Sequence, residues 1–266
     1  MPEGEATAKP IDQICPACQG LLREGAHFCS NCGYNGTALP AMPYRAELQS
    51  STTRFASHWG EIKQVSWLFS LLLFSSFVLG MTARVISSPW PEAIASGTDA
   101  AIVLTFVSLR YRDILPLLGL PSLNVRGALE LVGIALSFIA VMGAYFVLIQ
   151  RAGAPILHIT TTYKKFGWPV WSMFLLVSAM PAIFEELAFR GVIQSALERV
   201  LGEREAWLIQ AALFSVLHLL PMMFLSHFVM GLCFGYMRLR SRSLYPGMIL
   251  HASWNALVLC EELYWS

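Results

Sequence analysis

The sequence predicts an all-α polytopic membrane protein headed by a small cysteine-bearing module, and three observations carry that prediction. Hydrophobic residues fill 56% of the 266 positions and charged ones only 13%, far from the balance of a water-soluble domain. The apolar residues fall in long runs separated by turns that hold arginine, the pattern of successive spans. Four of the six cysteines, Cys15, Cys18, Cys29 and Cys32, stand near the start as C-x2-C-x10-C-x2-C. The net charge of +1 gives no global attraction to nucleic acid.

Residues 1–36 read as a zinc-ribbon-like module. Two C-x2-C knuckles can place four thiolates tetrahedrally around one ion, and Gly20 and Gly33 follow the knuckles where the backbone must turn. The segment is too small to bury a core, so a structural zinc would supply most of its folding energy. Thiolates kept for a metal imply a reducing compartment and so a cytoplasmic N-terminus. Only Arg23 is basic between Cys15 and Cys32, so a protein partner or a purely structural role is expected for the ribbon rather than nucleic acid. Cys233 and Cys260 lie alone in apolar surroundings as packing residues.

A polar linker, 37–63, leads into the membrane domain, 64–266. The first eight residues are acidic and small, without the basic start and apolar core of a cleaved signal, so the spans themselves must direct insertion. Spans are expected at about Val65–Val85, Ala93–Leu109, Gly127–Ile149, Trp168–Phe184, Trp207–Leu220, Ser226–Arg238 and Leu244–Cys260. That makes about seven, with six to eight compatible with the runs. The last three fall short of the ~20 residues that cross a bilayer upright. With the N-terminus inside, 14 of the 18 basic residues fall in inner segments, which agrees independently with the thiolate argument. The expected location is a multi-pass integral membrane protein, in the inner membrane for a bacterial cell. Trp90, Trp168, Trp171 and Trp207 sit near span ends as interfacial aromatics do, and Gly231 and Gly235 give a G-x-x-x-G packing stripe.

The chemistry gathers at Phe184-Glu185-Glu186-Leu187-Ala188-Phe189-Arg190-Gly191. From Trp168 to Phe184 no side chain is charged, then two carboxylates come together. Carboxylates against hydrocarbon cost several kcal/mol unless paired, and usually mark a site. Glu186 and Arg190 are four apart and can share a helical face as an ion pair, while Glu185 projects about 100° away and is left locally unpaired. His218 ends Phe214-Ser215-Val216-Leu217-His218, and His251 and Asn255 share one helical face. Taken singly, each is ordinary interhelical glue. Together, an acid, two imidazoles and an amide supply a base for water and donors for an oxyanion. His27, His58, His158 and His227 carry weaker signals, His227 opening the sixth span within reach of the expected cavity mouth.

In order, Glu185-Glu186…Arg190, Phe214…His218 and His251…Asn255 resemble the E-E-x-x-x-R, F-x-x-x-H and H-x-x-x-N motifs of the CPBP family. These are intramembrane glutamic endopeptidases, also called the CAAX-protease and bacteriocin-processing, or ABI, family. The similarity covers about 168–260, and the cysteine module lies outside it. The resemblance implies hydrolysis of peptide bonds near the C-terminus of prenylated or other membrane-associated proteins. It implies that Glu185, the catalytic glutamate, activates a water together with His218, that His251 and Asn255 hold the oxyanion, and that Glu186 and Arg190 are a supporting pair. The expected partners are a peptide or protein substrate, lipidated in the family, and the bilayer; no catalytic cofactor is implied. Two other readings stay open on the residues alone. One is a zinc-dependent membrane protease using Glu185, His218 and His251. The other is a non-enzymatic scaffold that docks a partner through the ribbon.

Overall fold

The fold is described from a computed structural model, over residues 13–15, 18–22, 31, 58–121, 123–153 and 159–264. It divides into two compact units, Met1–Arg54 and Phe55–Ser266. In the first, β1 (Gln13–Ile14) and β2 (Leu21–Leu22) pair antiparallel, Gln13 opposite Leu22 and Ile14 opposite Leu21. The connecting turn carries Cys15 and Cys18, and is closed by Cys15 N–H to the Gly20 carbonyl and Gln19 N–H to the Cys15 carbonyl, both 2.8 Å. The left-handed residue of this turn is Gln19, φ 59°, and not Gly20 as the spacing suggests. Gly20 serves by its size, since a Cβ there would come within 3.3–3.4 Å of Asn31 and the Cys18 sulfur. Cys29, Cys32 and Gly33 lie outside the described residues.

The second unit is helical: α1 (Trp59–Val85), α2 (Trp90–Leu109), α3 (Val125–Arg151), α4 (Ile159–Lys165), α5 (Val170–Leu201), α6 (Glu203–Leu217), α7 (Phe224–Ser241) and α8 (Tyr245–Tyr264). Five of these, α1, α2, α3, α5 and α7, are long and apolar enough to cross a membrane. The chain is thus a multi-pass membrane protein. The expected fifth span, now α6, has 15 residues and reaches about 22 Å, short of a ~30 Å hydrocarbon core. It packs along α7, as a short helix buried by its neighbours does. There Gly231 lets the backbones meet: a Cβ on it would lie 2.6 Å from the Ala211 Cα.

The expected fourth span is corrected most. The apolar run ends at Phe184, but the helix continues to Leu201, so Glu185 sits near the middle of a 32-residue helix rather than at its end. Leu187 to Leu197 are buried without interruption, which makes this half of α5 the core of the bundle. Its surroundings are protein, where paired charges are tolerated. By contrast α1, α2 and α3 turn large apolar side chains outward, among them Trp67, Phe74, Leu104, Leu129 and Leu136. An unanticipated short helix, α4, is held at its start by Glu262, whose Oε1 accepts from Thr160 N–H at 2.9 Å and Thr160 Oγ1 at 2.8 Å.

Charged residues collect at one set of helix ends. Glu61 at the start of α1 pairs with Arg110 after α2 and, at 3.0 Å, with Arg199 near the end of α5. Arg199 also reaches Asp113 at 3.2 Å, Arg238 of α7 pairs with Glu198, and Arg240 bonds Glu130 of α3 at 2.8 Å. Arg110, Arg199, Arg238 and Arg240, four of the arginines that the sequence assigns to inner segments, thus lie at these ends, whereas Arg190, assigned there too, is buried in the core half of α5.

Candidate active site

Helix α5 is not a uniform α-helix. Wide π-helical turns at Phe174–Ala179 and Leu187–Ile193 bracket the α-helical piece Met180–Glu186 that carries both glutamates. Such turns recur at functional sites because they re-aim side chains and loosen backbone bonding. A cause is visible in the first. Pro181 has no N–H to give the Val177 carbonyl four residues back, and its ring crowds that oxygen. Asn255 of α8 supplies a donor instead, its Nδ2 lying 3.1 Å from the Val177 oxygen. One turn along, Ser178 Oγ donates to the Ala252 carbonyl at 2.8 Å, so the widened turn and α8 are joined twice.

The two adjacent glutamates divide as helical spacing predicts. Glu186 is fully buried and its Oε1 accepts from Arg190 Nη1 at 2.8 Å. Room for its other oxygen comes from Gly247 of α8, where a Cβ would lie 2.9 Å from Oε2. Glu185 stays outside that pair with its side chain 26% exposed. His251 stands between them, Nδ1 at 3.2 Å from Glu186 Oε1 and Nε2 at 3.9 Å from Glu185 Oε2. The first distance is a charge-assisted hydrogen bond; the second leaves Nε2 uncommitted.

Phe214, fully buried on α6, is the ring on which the polar groups meet. The Arg190 guanidinium lies over it at 4.4 Å, with Phe234 at 5.3 Å on another side, a cation–π arrangement that compensates burial of the charge. The rings of His218 and His251 lie 4.9 and 6.1 Å from the same centroid. Placement of His218 follows from the end of α6, where its Nδ1 sits 2.9 Å from the Phe214 carbonyl. That bond puts the proton on Nδ1 and the lone pair on Nε2, the form a general base requires.

Glu185, Glu186, Arg190, His218 and His251 therefore form one cluster, with Asn255 a turn beyond His251 on the same face. Three further residues join it. His227 stacks on His218 with centroids 3.7 Å apart, and Phe214 acts as the common platform. Asp99 of α2 bonds Ser75 and is close enough to Glu185 for the two charges to interact. Asp99 was legible by the rule that exposed Glu185, as a lone carboxylate in an apolar run. The His218–His227 stack was not, because it depends on how the turn between α6 and α7 brings two helix ends together. Among the described residues, no three His, Cys, Asp or Glu side chains converge as a metal shell would require.

Comparison with known families matches residues 167–257 to the type II CAAX prenyl endopeptidase Rce1-like family. The matched segment contains every residue of the cluster except Asp99, and agrees with the CPBP resemblance drawn from the three motifs. No curated protein and no solved structure matches the chain.

Proposed function

We propose, from a membrane bundle whose residues 167–257 are a domain of the CAAX protease family, that the chain hydrolyses peptide bonds with a water activated by Glu185 and His218. The observation that carries this reading is His251 held between a buried, neutralised Glu186 and an unpaired Glu185. Glu185 takes a proton from water, aided by the Nε2 lone pair of His218, and the hydroxide attacks the scissile carbonyl carbon. The carbonyl oxygen becomes an oxyanion. With a proton on each nitrogen, His251 donates to Glu186 on one side and to the oxyanion on the other. The second N–H of Asn255 adds a donor, its first being spent on the Val177 carbonyl. The C–N bond then breaks, and the proton held by Glu185 passes to the leaving amine.

The substrate of this reading is a peptide or protein at the membrane, lipidated at its C-terminal end, whose apolar chain lies among the spans. The N-terminal module holds a structural zinc on Cys15, Cys18, Cys29 and Cys32, and docks a protein partner at the cytoplasmic side. The hairpin turn around Cys15 and Cys18 fits one half of such a site: Cys15 is buried, and Cys18 Sγ accepts from Asn31 at 3.5 Å, as zinc-bound sulfurs accept from nearby N–H groups. Zinc would organise the module's fold and takes no part in catalysis.

The test is incubation of purified wild-type and Glu185→Gln protein with farnesylated and unmodified C-terminal peptides, read by mass. Cleavage by the wild type alone supports the reading; equal cleavage by both removes Glu185 from the mechanism.

A further inference from the structure

Glu186, Arg190, Gln194 and Glu198 stand four apart along α5 and form one polar stripe on a helix otherwise packed in apolar side chains. The first three are wholly buried. Over about 18 Å the stripe leads from the glutamates to the charged end of the bundle. It finishes at a cavity of about 290 Å³ lined by Asp113, Leu117, Ser195, Glu198, Arg199 and Arg238. Gln210 of α6 lies alongside. Gly235 makes this possible, because a Cβ there would run into the side-chain amides of both Gln210 and Gln194.

Hydrogen bonding along the stripe is incomplete in a consistent way. Among the described residues, the buried side-chain atoms without a protein partner are Glu186 Oε2, Arg190 Nε and Nη2, Gln194 Oε1, Gln210 Oε1 and Arg238 Nε. Glu185 Oε2 and Asp99 Oδ1 complete the set, at the inner end. Each such atom destabilises the fold if left unsatisfied. Scattered defects would not fall in one row between a cavity and a reaction centre. Buried polar atoms of this kind are ordinarily satisfied by internal water.

We propose that a file of internal waters runs along this stripe from the Ser195–Arg238 cavity, and that it delivers the water consumed at Glu185. Each peptide bond hydrolysed takes up one water, its oxygen going to the new carboxylate and a proton to the new amine. The stripe offers a polar route for that reactant from the charged end of the bundle to Glu185. The supply role rests on the endopeptidase reading; the hydration does not.

Radiolytic hydroxyl-radical footprinting of the full-length protein, read by mass, separates the two. Phe214 and Phe234 flank Arg190 and are fully buried, as are Met142 of α3 and Met173, the latter in a separate apolar cluster with Tyr163 and Leu259. Labelling of the two phenylalanines several-fold above the two methionines is expected, although methionine is intrinsically the more reactive. Gln194→Leu should cut that labelling several-fold, and lower kcat on a cleaved peptide about tenfold with KM unchanged. Gln210→Leu, on another helix, gives the same readout should the first variant not fold. Phenylalanines labelled no more than the methionines, or labelling indifferent to both substitutions, would overturn the hydrated file. Labelling lost with kcat intact would overturn the supply role. If the wild type cleaves no peptide at all, the endopeptidase reading fails while the footprint still decides hydration.

Discussion

Glu185 and Glu186 are neighbours in sequence and differ in everything a carboxylate responds to. Glu186 is closed in by Arg190, His251 and the bare backbone of Gly247, whereas the ion partner of Glu185 among the described residues is His251 at 3.9 Å. Glu185→Gln should therefore leave the fold intact, since it weakens only the 3.9 Å contact to His251, and lower kcat by about 10²–10⁴-fold. Unfolding midpoint and product mass check both halves. Arg190→Ala should do the opposite to stability: an uncompensated buried carboxylate costs about 3–5 kcal/mol. Arg190→Lys should not restore it, because the planar guanidinium is packed over Phe214 and Phe234. Denaturant unfolding in detergent measures both. The Glu186–Arg190 pair was legible because four-residue spacing fixes it within one helix. The His251–Glu186 bond spans 65 positions and two helices, and no local rule reaches that far.

At the scale of elements, α5 and its contacts with α8 position the chemistry. Pro181 removes a backbone donor, and Asn255 replaces it. Pro181→Ala returns an N–H to the Val177 carbonyl and releases Asn255. The expected result is a fall in kcat of up to about 10²-fold with KM little changed, as for a misplaced catalytic group. Gly231→Ala places a Cβ 2.6 Å from the Ala211 Cα, so α6 and α7 must separate; a loss of about 1–3 kcal/mol is expected in thermal unfolding. The G-x-x-x-G stripe was readable from spacing alone. The extent of α5 was not, because apolarity marks what faces lipid, and the buried half of α5 faces other helices. Charges that look like the end of a span are, in this setting, the middle of a core. The π-helical turns leave no pattern in composition, since they answer to Pro181 and to partners far along the chain.

For the whole molecule, arginines at the helix ends form ion pairs that join α1, α2, α3, α5 and α7 at one face. The cysteine module is covered by neither the family match nor the cluster. On the proposed reading, replacing Cys15 and Cys18 by serine should abolish zinc measured by atomic absorption while peptide turnover persists. Loss of turnover that added zinc restores would instead place the metal in catalysis. The central claim is that residues from three helices act as a single water-activating unit. A double-mutant cycle with Glu185→Ala and His218→Ala, followed by kcat on a cleaved peptide, tests it most directly. Members of one unit are grossly non-additive, so the double variant should be about as slow as the slower single one. Losses that multiply would mean that the two groups act independently, and would contradict the account.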